Sequence, residues 1–166
     1  MSLLEPTWHF QKVADIPVDL IKNLGIKLIF IDIDNTIAPR DSDEFVPSAV
    51  AWIEAVRNLG VTFAFLSNGM PGRVIRTGKL LGIRNVYPGL KPLPFCYWFG
   101  MLRFGAKPSK TLMIGDQLPT DIMGANLAGI RSILVDPVNS ETDVGWTKFT
   151  RKLFGDKRNK AKNRQR

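Results

Sequence analysis

Residues 26–36 read IKLIFIDIDNT, an apolar run that ends in Asp32, Asp34, Asn35 and Thr36. Runs of the same kind recur at 61–66, 111–114 and 132–135, and a shorter strand is predicted at 85–87. They are continuous rather than alternating, which is typical of strands buried on both faces of a parallel sheet.

Helix-like segments separate these runs, at 17–25, 47–60, 71–81, 94–104 and 119–128. Most of them begin at a proline and stop at a glycine, which is the usual asymmetry of helix ends. Strands and helices in alternation predict an α/β fold, a doubly wound, Rossmann-type parallel sheet of about five strands with right-handed crossovers. We expect one domain over residues 1–146, followed by a tail.

The composition excludes several classes of protein. Cys96 is the only cysteine and His9 the only histidine, so neither an internal disulfide nor a histidine-rich metal site can form. A single cysteine fits a reducing compartment, and we expect a cytoplasmic protein. No apolar run approaches the roughly 20 residues of a membrane-spanning helix, and the start lacks the pattern of a signal peptide.

The net charge of +8 lies in the C-terminal tail. Residues 147–166 hold nine basic side chains and one acid, Asp156, whereas residues 1–146 are balanced. One interpretation is a solubilising, partly disordered end. The other is attraction to an anionic surface, either lipid head groups or nucleic acid.

Polar side chains follow the predicted strands at their carboxyl ends, where open α/β sheets bind ligands. They are four acids, a hydroxyl, an amide and an ammonium group, carried by Asp32, Asp34, Ser67, Asn68, Lys91, Asp116 and Asp121. Each alone has an ordinary structural interpretation, such as a helix cap for Ser67. Together, each at a strand end or in the turn after it, they indicate one site.

The residue types suit phosphoryl transfer with Mg²⁺. Asp32, Asp34 and Asp116 supply hard oxygen ligands for that ion. A carboxylate beside Mg²⁺ can attack phosphorus and form an aspartyl-phosphate, and a second acid two residues on can serve as acid and base. Ser67 and Lys91 can hold the phosphoryl oxygens.

The motifs resemble those of the haloacid dehalogenase (HAD) superfamily, whose first motif is Asp-x-Asp-x-Thr. That resemblance implies a nucleophile at Asp32 and an acid/base at Asp34, whose backbone carbonyl would also bind Mg²⁺. It implies a metal ligand at Asp116, with Asp121 supporting the metal's waters. Ser67, Asn68 and Lys91 would bind the phosphoryl group.

The Asp-Asn-Thr, Leu-Lys-Pro and Gly-Asp-Gln-x-x-Thr-Asp stretches are similar to the YqeG-type branch of subfamily IIIA. This branch is similar to the phosphatidylglycerophosphate phosphatases, so the implied reaction gives phosphatidylglycerol. Gly69 departs from the branch, where asparagine is expected, and adds backbone freedom beside Ser67.

The spacing of the motifs leaves no room for a cap domain. Only ten residues, 37–46, precede the helix at Pro47, and 23 residues separate Ser67 from Lys91. The predicted site is open, which suits a phosphate on a large or membrane-anchored molecule. We expect a protein that is peripheral at the inner face of the membrane, with the aromatic segment 93–104 either as core or in part against lipid. Arg73 is a candidate contact for a second phosphate or head group.

Two other functions stay open at this point. A phosphatase without a cap could act on nucleic-acid ends, sugar phosphates or phosphoproteins, and the basic tail would suit RNA or DNA. The chain could also be a weakly catalytic protein that binds nucleic acid or a partner through its tail. The oligomeric state is not predicted by any pattern in the sequence.

Overall fold

Six parallel strands form the sheet of this protein, whose computed structural model describes residues 2–42, 44–86, 89–142 and 145. The strands are β1 (Trp8–Phe10), β2 (Leu28–Ile31), β3 (Thr62–Phe65), β4 (Arg84–Asn85), β5 (Thr111–Gly115) and β6 (Arg131–Val135). Their order across the sheet is β1-β6-β5-β2-β3-β4, and every neighbouring pair is parallel. The predicted doubly wound α/β fold is therefore confirmed.

Five helices cross between the strands: α1 (Val18–Leu24), α2 (Pro47–Arg57), α3 (Pro71–Leu81), α4 (Pro94–Phe104) and α5 (Met123–Leu127). Proline stands at the first turn of α2, α3 and α4, where its missing N–H costs nothing. Side chains of α1, α2 and α3 share one core cluster, whereas α4 and α5 share the cluster on the other face. The sheet is thus covered on both faces, as its continuous apolar strands predict.

The chain reverses its direction of progress across the sheet at β2. From β2 it passes to β3 and β4 on one side, and then returns to β5 and β6 on the other side. Ligands of such folds bind outside the carboxyl ends of the strands at this switch point. The ends of β2 and β5 therefore define the place for a site.

Three details differ from the sequence-based expectation. The sheet has a sixth strand, β1, because three residues next to β6 continue its ladder without forming an apolar run of their own. The strand predicted at 85–87 is found at Arg84–Asn85, and Tyr87 lies outside the described residues. The helix predicted at 119–128 begins as a wide, π-type turn, Leu118–Ile122, which continues into α5.

The connections after β2 and β3 carry no cap domain within the described residues. Residues 37–42 and 44–46 form a loop, and the chain between Ser67 and Lys91 contains only α3 and β4 in the ranges that the structure covers. The carboxyl ends of the strands are accordingly open above the sheet. None of the helices in the described ranges is long and apolar enough to cross a membrane. The predicted tail, 147–166, lies outside the described residues.

Candidate active site

A tight loop presents the two aspartates that follow β2. The N–H of Asp32 donates to the carbonyl of Ile114 at 3.0 Å, which extends the β2–β5 ladder by one residue. The chain then turns, with Asn35 in the left-handed region at φ 61°, a conformation that asparagine tolerates better than most residues. The N–H groups of residues 36–38 all donate to the carbonyl of Ile33. The carboxylates of Asp32 and Asp34 are thus fixed by backbone geometry.

Lys91 lies at the centre of the buried charges. Its Nζ is 2.8 Å from Oδ1 of Asp32 and 2.6 Å from Oδ1 of Asp121, and its side chain is almost fully buried. Burial alone would lower the pKa of Lys91, but the carboxylates of Asp121 and Asp32 outweigh it and raise that pKa above its ordinary value. Lys91 is therefore a permanent cation beside Asp32.

Asn68 fixes the backbone that carries Lys91. Its Nδ2 donates to the carbonyl of Lys91 at 2.8 Å, and the N–H of Lys91 donates to Oδ1 of Asn68 at 2.9 Å. Phosphate binding by the Asn68 side chain stays a prediction. The contacts give this amide another partner, so Asn68 acts on the site by placing Lys91.

Three buried carboxylates form a cluster at the switch point. Asp32, Asp116 and Asp121 each offer an oxygen, and these oxygens lie within 4.8 Å of one another. The hydroxyl of Thr36 donates to Oδ1 of Asp116 at 3.4 Å, which links the loop after β2 to the end of β5. Clustered carboxylates repel one another, the single charge of Lys91 offsets only part of that repulsion, and oxygen donors are what Mg²⁺ prefers. These residues fit Mg²⁺.

Asp121 reaches the cluster from the π-type turn after β5. Its Oδ2 accepts the N–H of Gln117 at 3.0 Å, while its Oδ1 faces Lys91. Gly115 leaves the space for this carboxylate, since a Cβ there would lie 2.3 Å from Cγ of Asp121. Burial raises the pKa of Asp121 to about 7, although Lys91 opposes that rise.

Asp34 faces a different cation. Its Oδ1 lies 3.0 Å from Nε of Arg73 in α3. Burial raises the pKa of Asp34 and the neighbouring charge of Asp32 raises it further, while Arg73 lowers it. A carboxyl group that keeps its proton more readily than usual is suited to general acid catalysis.

Arg73 also holds the loop that follows β2. Its Nη2 donates to the carbonyls of Pro39 and Ser42, at 2.7 Å each. Binding of a second phosphate by Arg73 stays a prediction. In the described contacts its guanidinium joins α3, Asp34 and this loop.

Ser67 is buried at the end of β3, and Gly69 lies beside it. Oγ of Ser67 accepts the N–H of Gly69 at 3.2 Å. A Cβ at Gly69 would lie 3.2 Å from Oδ2 of Asp34 and 3.3 Å from Oγ of Ser67. The expected asparagine would therefore crowd both groups, and glycine leaves the space between Asp34 and Ser67 open.

The structure brings the predicted site residues to one edge of the sheet, on the loops and turn after β2, β3, β4 and β5. Their individual roles in catalysis stay predictions. The sequence-based reasoning assigned no site contact to Gly115 or to the backbone of Gln117, and it treated the Thr36 hydroxyl only as part of a motif. The glycine directly before Asp116 in the sequence was the signal that could have indicated a close contact at Gly115.

Comparison with known proteins places this geometry in a family. The sequence profile of the HAD-hydrolase-like family matches residues 90–145. The chain is 30% identical over 148 residues to a protein of Bacillus subtilis named "Probable phosphatase YqeG", and the match covers 89% of this chain and 86% of that protein.

Two solved structures share the fold. One is a protein from Legionella pneumophila described as a hydrolase of HAD subfamily III A, with a TM-score of 0.57, 17% identity and coverage of 80% of this chain and 74% of that one. The other is the 3-deoxy-D-manno-octulosonate 8-phosphate phosphatase of Moraxella catarrhalis, in complex with a magnesium ion, a phosphate ion and a KDO molecule. Its TM-score is 0.51 and its identity 21%, with coverage of 61% of this chain and 64% of that one.

The chain belongs to the HAD-like hydrolases. Within them it is a phosphatase of the YqeG type, as the identity over most of both chains shows. Phosphatases of this family use Mg²⁺, and the buried cluster of Asp32, Asp116 and Asp121 fits that cofactor.

Proposed function

We propose that this phosphatase hydrolyses phosphate monoesters through a phosphoryl group carried on Asp32, and that its substrate is the lipid phosphatidylglycerophosphate. One observation supports the chemistry most strongly. The carboxylate of Asp32 lies at the end of the central strand β2, buried, with the Lys91 ammonium 2.8 Å away and two further carboxylates beside it. The ammonium supplies part of the positive charge that offsets a dianionic phosphate, and the carboxylates would hold the Mg²⁺ that supplies the rest.

In the first step, Asp32 attacks phosphorus and its oxygen forms the new P–O bond. The bond between phosphorus and the leaving-group oxygen breaks, and protonated Asp34 gives its proton to that oxygen, which leaves as an alcohol. Asp34 becomes a carboxylate. The raised pKa of Asp34 supports this order, because the acid must carry a proton when the substrate binds.

In the second step, water attacks the phosphorus of the aspartyl-phosphate. Asp34 takes a proton from that water, the P–O bond to Asp32 breaks, and inorganic phosphate leaves. Asp34 is then protonated and Asp32 is a carboxylate again, so the cycle closes.

The remaining residues bind and orient. Asp32, Asp116 and the backbone carbonyl of Asp34 would hold Mg²⁺, with Asp121 on its waters; the ion supplies positive charge that draws together Asp32 and the phosphoryl oxygens. Ser67 and Lys91 would bind those oxygens. Asn68 would set the position of Lys91 through its two hydrogen bonds to that backbone.

The open strand ends support a lipid substrate. No cap stands over the site in the described residues, so a phosphate on a membrane-anchored molecule can reach Asp32 without a chamber to enter. We further propose a catalytic domain over 1–146 and a basic tail, 147–166, that attracts anionic lipid, so that the enzyme works at the membrane periphery.

The first experiment separates chemistry from substrate. Phosphate release is measured from a generic aryl phosphate and from a panel of phosphatidylglycerophosphate in detergent, nucleotides, sugar phosphates, 5′-phosphorylated RNA and phosphopeptides. We expect Mg²⁺-dependent release that stops on chelation. Asp32→Asn should lose about 10⁴-fold or more of that activity, since the nucleophile is gone.

The control is the exposed Asp19→Asn, which should keep the activity. Preference for another member of the panel overturns the lipid assignment but leaves the mechanism. Activity that survives Asp32→Asn, or no activity with any divalent metal, contradicts the mechanism.

A further inference from the structure

Helix α4 has two apolar faces, and only one of them belongs to the core. Cys96, Tyr97, Gly100 and Met101 are buried against the sheet. Gly100 lies so close to Phe30 that an added Cβ would be 2.7 Å from its ring. The inner face is therefore complete, and it leaves the other large side chains of the helix outside.

The outer face is an apolar stripe exposed to solvent. Phe95, Trp98, Phe99 and Leu102 follow one another at the spacing of a helix face, and they are between 46% and 82% exposed. Such a contiguous row on a helix marks a contact surface, unlike apolar residues scattered singly. We call these four residues the α4 stripe.

The α4 stripe leads to the active site. Exposed Leu90 and Leu93 flank Lys91, and Leu93 directly precedes the first residue of α4. Lys91 itself is the residue that contacts Asp32 at 2.8 Å. Whatever covers the stripe therefore lies next to the entrance of the site.

The charge of the residues around the α4 stripe favours one kind of binding partner. Residues 55–110, which form β3, β4, α3 and α4, contain nine Lys or Arg and no Asp or Glu. The remaining residues up to 146 contain five basic residues and fourteen acids. The stretch that contains the stripe is itself basic, because residues 90–110 hold four Lys or Arg and no Asp or Glu, and Arg103 and Lys107 are exposed, whereas the basic residues of α3 lie on the opposite face of the sheet.

We propose that the α4 stripe docks on an anionic lipid bilayer, with its aromatic and leucine side chains in the interface and exposed Arg103 and Lys107 facing lipid phosphates. An exposed apolar helix face with basic residues at its end and no acid has the composition of an interfacial helix. A second copy of the chain is disfavoured because it would bring the Arg103 and Lys107 charges of two chains together. Nucleic acid is disfavoured because the donor of the stripe, the indole N–H of Trp98, already donates to the carbonyl of Ala128 at 3.3 Å.

The docking explains how a site without a cap would select its substrate. A helix of eleven residues is about 16 Å long, and it would lie in the bilayer surface with Leu90, Leu93 and the site mouth at the level of the head groups. This part of the inference rests on the proposed lipid substrate, whereas the docking itself does not.

Co-sedimentation with vesicles tests the docking on the full chain. Vesicles contain either phosphatidylglycerol mixed with phosphatidylcholine or phosphatidylcholine alone. We expect Phe99→Ser with Leu102→Ser to weaken binding to the anionic vesicles by about tenfold or more, because two inserted side chains are lost. The matched control, Leu3→Ser with Leu59→Ser, changes exposed leucines outside the stripe and should bind within about twofold of wild type.

A second pair of variants tests whether the position of the basic residues matters, because both variants change the net charge by the same amount. Arg103→Glu with Lys107→Glu, next to the stripe, should weaken binding by about tenfold or more. Lys22→Glu with Lys27→Glu, at exposed positions in and after α1 on the other face of the sheet, makes the same change in total charge and should weaken binding much less. The tail is identical in all of these proteins, so it cannot produce a difference between them.

Three readouts decide the outcome. Every variant should keep hydrolysis of the soluble aryl phosphate, which shows that the fold is intact. Equal vesicle binding by wild type and the stripe variant overturns the docking, and so does a loss of binding to single-stranded RNA with vesicle binding unchanged. Hydrolysis of phosphatidylglycerophosphate in detergent is scored separately, so that failure of the substrate assignment and failure of the docking are distinguishable.

Discussion

Two parts of the chain differ in charge, and the site lies where they meet. Residues 55–110 supply Lys91 and Arg73, whereas Asp32, Asp34 and Asp121 come from the acidic remainder of residues 1–146. All three ion pairs named for the site join one part to the other. The comparison shows that neither part could hold this site alone.

The ion pairs also give the aspartates of the site different electrostatic environments. Asp32 and Asp121 share one buried lysine, which keeps a cation next to the proposed nucleophile. Asp34 pairs with a mostly buried arginine, Arg73, and retains a raised pKa. Two aspartates only two residues apart therefore have environments suited to different steps.

The largest effect is expected from removing the shared lysine. Lys91→Met should leave Asp32 and Asp121 buried without their cation, and it should lower aryl-phosphate hydrolysis by about 10³-fold. The free energy of unfolding without Mg²⁺ should fall by about 3 kcal/mol, as for other buried pairs that lose one partner. Steady-state kinetics and urea unfolding measure the two quantities.

The exposed Lys107→Met provides the control and should change neither quantity much. Mg²⁺ should raise the unfolding temperature of Lys91→Met more than that of wild type, because the ion offsets the repulsion between the buried carboxylates that lost their lysine. If Mg²⁺ left the unfolding temperature of Lys91→Met unchanged, that result would argue against a metal site formed by Asp32, Asp116 and Asp121.

A smaller effect is expected where Asp121 packs against Gly115. Gly115→Ala puts a Cβ 2.3 Å from Cγ of Asp121, so we expect the variant to lose about 2 kcal/mol of stability as Asp121 is displaced. Gly72→Ala in α3 has no atom within 4 Å of the new Cβ and should be neutral or slightly stabilising. Equal urea midpoints for the two variants would contradict the close packing of Asp121.

The smallest effect is expected for the ion pair between Arg73 and Asp34. Arg73→Ala removes the charge that lowers the pKa of Asp34, so that pKa should rise further. Because Asp34 is the proposed acid of the first step, the alkaline limb of the kcat/KM profile should move to higher pH. We expect activity at neutral pH to fall by about tenfold or less, through the loosened loop at Pro39 and Ser42.

Lys79→Ala removes a positive charge from an exposed position of the same helix and should leave the profile in place. A shift of the limb to lower pH in Arg73→Ala would assign the ionisation to a group other than Asp34.

The sequence predicted the fold and the location of the site well, for a physical reason. Strands buried on both faces must be apolar throughout, so 26–31 and 111–114 are visible as runs, and the acids that end them have to meet at one edge. β1 was missed because three residues on the edge of a sheet leave too short a pattern. The two partners of Asn68 and the partners of Arg73 were missed because hydrogen bonds between distant loops leave no periodic signal.

The charge difference between the two parts of the chain could be seen in the sequence, since the absence of acids from residues 55–110 requires only counting. Its consequence for the site required the fold, which brings Lys91 and Arg73 of this stretch into contact with Asp32, Asp34 and Asp121. The exposure of the α4 stripe could not be predicted, because a helix that is apolar on both faces has the same pattern as one buried all round.

The paired hydrogen bonds of Asn68 have a consequence for motion. Its amide pairs with the backbone of Lys91 as one strand residue pairs with another, and so adds a single rung beyond the last strand on that edge. The loops after β3 and β4 are thereby coupled, and a displacement of Ser67 by an arriving phosphate would carry the ammonium of Lys91 with it. Two loops that are separate in sequence would then respond to substrate as one rigid unit.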